Sequence, residues 1–113
     1  MWIVMWVALG GVARAEDAPS EGDLPTAIRN AVRVYGSDRV ACFARASRRT
    51  PGLAGAVDLR LTVEGDRVVA SEVAEDGVGS DILTRCLQRR IRRWRIPWEG
   101  GAGTWTVHLP FEA

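Results

Sequence analysis

The sequence predicts a small α+β domain of element order α-β-β-α-β, with two helices packed on one face of a three-stranded antiparallel sheet of order 2-1-3. Three observations lead there. Two segments carry a single apolar stripe at helical spacing, two alternate apolar and polar residues with a third strand-like run, Arg67–Val73, after the first of them, and turn chemistry separates them all.

The first helix opens at Pro25, a residue suited to a first helical turn. Leu24, Ile28, Val32, Tyr35, Cys42, Phe43 and Ala46 then recur at helical spacing, with an interruption expected near Gly36-Ser37 and a second cap from Ser37 or Asp38. Arg45, Arg48 and Arg49 crowd the last turn, where cations complement the helix dipole, and Thr50-Pro51-Gly52 stops it. Val57, Leu59, Leu61 and Val63 alternate with Ala56, Asp58, Arg60 and Thr62, which predicts a strand with one wet face. Glu64-Gly65-Asp66 reverses the chain into a second strand, Arg67–Val73, so the pair reads as a hairpin. Its phase is open, because Val68 and Val69 are adjacent and a bulge is needed to place both. Ser80 or Asp81 caps a second helix whose face carries Ile82, Leu83, Cys86, Leu87, Ile91 and Trp94, and Pro97 ends it. Gly100–Gly103 is a flexible turn before a last strand with Trp105, Val107, Leu109 and Phe111 inward and Thr104, Thr106 and His108 outward. Single stripes place both helices on the dry face, and the second helix crosses over so that strand three lies beside strand one.

Ahead of this domain, Trp2 to Ala13 form an apolar run followed by Ala13-Arg14-Ala15. The run has the length of a signal-peptide core and falls short of the ~20 residues that span a bilayer. The expected layout is a signal peptide over 1–15 cleaved before Glu16, a mobile polar lead-in over 16–23, and the domain over 24–113. One departure stands out: no Lys or Arg precedes the apolar run, as with a misplaced start, a weak signal or an uncleaved anchor. Cys42 and Cys86 are the only cysteines, and an exported chain meets an oxidising compartment, so a disulfide between them is expected. Neither a C-x-x-C redox pair nor a zinc-type Cys/His spacing is present. A bridge there closes a loop of roughly forty-odd residues, for which chain entropy gives on the order of 4 kcal/mol.

The chain has 113 residues, 47% hydrophobic, and a formal net charge of +1, which bounds it to one globular domain without an overall pull on nucleic acid or membrane. Every basic residue is Arg, a bias that a GC-rich genome produces and that bidentate anion recognition also uses.

These residues together resemble a known family. Cys42 within the first helix, Pro51-Gly52-Leu53-Ala54-Gly55 leading into Val57-Asp58-Leu59-Arg60-Leu61, and Gly65-Asp66-Arg67-Val68 are similar to the AgmX/PglI C-terminal domain, a relative of the TonB C-terminal domain. Cys86, Arg92-Arg93-Trp94-Arg95-Ile96-Pro97 and Val107-His108-Leu109-Pro110-Phe111 extend the resemblance over Leu24 to Ala113. It implies a periplasmic or envelope-associated module, with gliding motility linked to the namesakes and strand addition to TonB-like relatives. Unlike the long members, this chain shows no Pro-rich periplasm-spanning linker or cytoplasmic signalling domain, so binding is expected here and transmission of force is not.

The candidate sites follow. In order 2-1-3 the last strand is an edge, and Thr104, Trp105, Thr106, Val107, His108 and Leu109 are the expected partner-binding residues. The competing readings are an edge blunted by Pro110 and a homodimer contact. Arg85, Arg89, Arg92 and Arg93, with Arg90 and Arg95 nearby, form a basic patch, which with Arg45, Arg48 and Arg49 could hold anionic cell-wall polymer or stand as a solvated face. Trp94 and Trp98 are expected in or near the core, and His108 at the surface without a partner. One His, no free thiol if the cysteines pair, and scattered carboxylates argue against an enzyme, a metal site or a cofactor. Gly100–Gly103 follows a helix instead of opening one, and no aromatic ladder suits nucleic acid. The expected function is a soluble periplasmic interaction module that binds an envelope protein or peptide. The alternative is a structural envelope component that oligomerises or binds anionic polymer through its Arg face.

Overall fold

The computed structural model describes residues 24–112; the expected signal peptide and lead-in lie outside the described residues. The elements are α1 (Thr26–Val34), α2 (Gly36–Arg49), β1 (Gly55–Glu64), β2 (Arg67–Asp76), α3 (Asp81–Ile91) and β3 (Ala102–Phe111). All three strands form one antiparallel sheet of order β2-β1-β3. The α+β class and strand order are as the sequence predicts, but three helices replace two.

The extra helix comes from a break at Tyr35, whose ψ of 25° leaves helical geometry between α1 and α2. Tertiary contacts hold the break open. The Tyr35 ring stacks on Trp94 with centroids 5.0 Å apart, and its hydroxyl accepts from the Arg95 N–H at 3.1 Å. Neither Ser37 nor Asp38 caps α2. The Asp38 carboxylate instead spans to the far end of α3, accepting from Arg90 at 2.9 Å and from the Trp94 indole N–H at 3.0 Å. Ser80 does cap α3, its hydroxyl accepting from the Leu83 N–H at 3.2 Å, a bond of the kind worth about 1 kcal/mol.

The strands meet the alternation rule where one face is dry. Val57, Leu59, Leu61 and Val63 of β1 are fully buried beneath the helices, together with Val107 and Leu109 of β3. In β2 only Val68 is buried. The adjacent Val68 and Val69 are accommodated by a register shift: Val63 faces Val68 and Thr62 faces Ala70, leaving Val69 unpaired as a bulge. A second shift leaves Ala74 unpaired between Val73 and Glu75. The hairpin turns on Gly65 at φ +65°, a left-handed conformation that glycine adopts without a β-carbon penalty.

Three boundaries differ from expectation. β2 runs on past Val73 to Asp76. α3 ends at Ile91, well before Pro97, through tight bonds from the Arg93 N–H to Arg90 and the Trp94 N–H to Ile91. The released segment swings to the sheet, so that Trp94 and Ile96 both enter the core. β3 begins at Ala102, inside the glycine run. Gly100 and Gly103 lack the β-carbons that would collide with the Trp98 and Trp105 rings, which pack edge-to-face at 4.7 Å.

Cys42 and Cys86 are joined in a disulfide between α2 and α3, with Cα atoms 5.5 Å apart. Both sulfurs are buried, and the bridge links the two helices that pack most extensively on each other.

Candidate functional site

The backbone of β3 decides which of its groups are free. Residues of β1 and β3 pair one to one, from Gly55 with Phe111 to Glu64 with Ala102. The same register continues to a bond from the Gly65 N–H to the Gly101 carbonyl at 3.0 Å. In an antiparallel ladder hydrogen-bonded and non-bonded pairs alternate, so the odd-numbered residues Gly103 to Phe111 bond to β1. The N–H and C=O groups of Thr104, Thr106 and His108 therefore point away from the sheet, along its outer edge. Pro110 shares that direction with only a carbonyl to offer, and the Arg39 guanidinium donates to it at 3.1 Å. The edge thus has a blunted C-terminal end and an open middle.

The opposite edge is covered. The Ile96 N–H bonds the Asp66 carbonyl at 2.9 Å, Arg95 and Arg67 form a bridge, and the Gln88 amide donates to the Ser71 carbonyl at 2.8 Å. Arg95 adds an ion pair to Asp66 at 2.9 Å. The segment after α3 and one side chain of α3 therefore cover the first half of the β2 edge, from the turn to Ser71, while Glu72–Asp76 stay exposed and β3 has no comparable cover among the described residues.

Beside the open edge lies an apolar groove of 350 Å³ between α2 and the end of β3, lined by Arg39, Val40, Phe43, Ala44, Pro110, Phe111 and Glu112. Phe43 and Phe111 stack at 5.2 Å, and Val40 is 70% exposed, an unusual placement for Val on a helix. A strand added to β3 would point alternate side chains to this side.

The wet face of the sheet corrects one expectation. His108 is not unpartnered: its Nδ1 lies 2.6 Å from Asp58 Oδ1, and the two residues are direct cross-strand partners. An ionised carboxylate only accepts, so the ring donates through Nδ1. Thr62 and Thr104 bond at 3.3 Å farther along the same face, beyond the Arg60–Thr106 pair, so both edge residues are pinned to β1 without using their outward backbone groups. Among the six expected partner-binding residues, Trp105, Val107 and Leu109 direct their side chains to the dry side and hold the strand in place. Thr104, Thr106 and His108 supply the edge.

The basic patch is divided by the end of α3. Arg85 and Arg89 face α2 across a cleft of 520 Å³, whose other walls are Arg45, Arg48, Arg49 and Ile82. Arg93 lines an adjoining cleft of 330 Å³ with Tyr35, Asp38, Arg45, Arg89, Arg90 and Trp94. Arg92, which caps the C-terminus of α3, lines neither cleft.

No family model matches this chain, and neither a curated protein nor a solved structure is similar to it at a significant level.

Proposed function

We propose that this domain is an exported protein-interaction module that takes up an extended peptide of an envelope protein as an additional strand along β3. The outward-facing backbone of Thr104, Thr106 and His108 is the observation that carries this reading. Main-chain bonds to an edge give affinity to any extended segment, and a neighbouring pocket adds selectivity for alternate side chains. The groove at Val40, Phe43 and Phe111 supplies such a pocket. The partial cover of β2 supports it too, because the segment after α3 shields that edge from the turn to Ser71 while nothing comparable lies along β3 among the described residues. Pairing of the two cysteines suits an oxidising compartment, and among the described residues no helix is long and apolar enough to cross a membrane. The resemblance to the AgmX/PglI C-terminal domain supports an envelope setting and a binding role without catalysis.

The test uses a proline scan of the strand. Thr106→Pro removes an N–H that points outward, as edge strands tolerate, whereas Val107→Pro removes one bonded to β1. A panel of acetylated ten-residue peptides with apolar residues at alternate positions serves as probe, followed by amide chemical shifts. Thr106→Pro is expected to stay folded and lose about threefold to tenfold in affinity, the size of one lost main-chain hydrogen bond. Val107→Pro is expected to unfold. Shifts confined to α3, with Thr104–His108 silent, would overturn the reading.

A further inference from the structure

We infer that the cleft between α2 and α3 is an anion site for a ligand carrying two or more phosphate groups. Arg45, Arg48 and Arg49 of α2 and Arg85 and Arg89 of α3 converge on it, and no ion pair among the described residues uses any of them. The arrangement is costly for a structural surface. Arg45 with Arg49 and Arg85 with Arg89 are like charges at i,i+4, a spacing that destabilises each helix, and the two pairs face each other. The chain is not simply basic: its net charge is +1, and Glu64, Asp66, Glu72, Glu75 and Asp76 sit on the β1–β2 hairpin. Two acids lie closer, Asp38, which lines the adjoining cleft with Arg45 and Arg89 and is paired with Arg90, and Asp81, four residues before Arg85; neither lines the cleft itself.

The helices are held at fixed separation here. Arg45 and Arg49 follow Cys42 on its own helical face, and Arg85 and Arg89 flank Cys86, so the disulfide sets the spacing of the two walls. Ile82 supplies the apolar part of the lining. Guanidinium forks match phosphate and carboxylate oxygens alike, but charge separates the two. A lone carboxylate brings one negative charge to five cations. A diphosphate or longer chain brings several, with oxygens directed to both walls, and fits a cleft of 520 Å³.

This site stands apart from the β3 edge, so either proposal can fail alone. The experiment titrates the oxidised protein with tripolyphosphate, and in parallel with phosphatidylglycerol vesicles, at constant ionic strength. The variants are Arg49→Gln/Arg85→Gln in the cleft and Arg29→Gln/Arg92→Gln outside it; all four side chains lie on the helix-bearing part of the fold, and none packs in the core. Saturable tripolyphosphate binding that falls at least about tenfold in the cleft variant, and less than about twofold in the control, is the expected result. Vesicle binding with the same dependence on the cleft would assign the phosphates to a lipid headgroup. Equal losses in both variants, equally tight binding of citrate, or no saturable binding to either probe would overturn the proposal.

Discussion

Reducing the Cys42–Cys86 bridge is expected to lower the unfolding free energy by about 4 kcal/mol, the chain-entropy value for a cross-link of this span. A small domain commonly has only about 5–15 kcal/mol in total, so the reduced protein sits close to its threshold. Urea denaturation of the oxidised and reduced wild-type chains isolates the cross-link, since the thiols remain in place. The Cys42→Ala/Cys86→Ala variant should lose somewhat more, because both sulfurs are buried and their removal leaves space. An unchanged midpoint on reduction would mean that α2 and α3 hold together without the bridge.

Truncating Trp94 has an effect of similar size for a different reason. It is the largest of the fully buried side chains, it stacks on Tyr35 at the α1–α2 break, and its indole N–H donates to Asp38. Trp94→Ala is expected to cost about 3–5 kcal/mol by cavity formation alone. Trp94→Phe keeps an aromatic face for Tyr35 and loses the donor, which should cost about 1–2 kcal/mol. Asp38 retains Arg90 as a partner, so its carboxylate is not stranded. Urea midpoints in the order wild type, Trp94→Phe, Trp94→Ala would support this account; a phenylalanine variant as unstable as the alanine one would place the main contribution in the Asp38 bond.

The two effects mark where the sequence was legible. β1 could be read residue by residue because it has one dry and one wet face, and the cysteine pair because two thiols allow one partner each. The 2-1-3 order follows from the crossover helix, which makes strand three run parallel to strand two, so that beside strand one it completes an antiparallel sheet. β2 resisted, because a bulge at Val69 changes which face each later residue takes, and nothing local announces it. The break at Tyr35 was legible only as an interruption near Gly36, since the contacts that hold it come from Trp94 and Arg95 on another element.

Site residues divide along the same line. Alternation separated the inward Trp105, Val107 and Leu109 from the outward Thr104, Thr106 and His108. It could not supply the pairing register, so the contact between His108 and Asp58 was missed. The sequence places the Arg patch on one helix face. Helical phase holds only to Ile91, where α3 ends, so Arg85 and Arg89 share a cleft with α2 while Arg92 leaves it. The sequence already groups Arg45, Arg48 and Arg49 with that patch; that they form the opposite wall of a cleft follows from how the two helices pack.

Amide hydrogen exchange along β3 tests the open edge most directly. In the free, oxidised protein the N–H groups of Trp105, Val107 and Leu109 should exchange slowly, and those of Thr104, Thr106 and His108 quickly, in strict alternation. A bound strand peptide should slow the fast set and leave the slow set unchanged. Uniform protection of Thr104–Leu109 in the peptide-free protein would mean that the edge is already occupied, and would contradict the account.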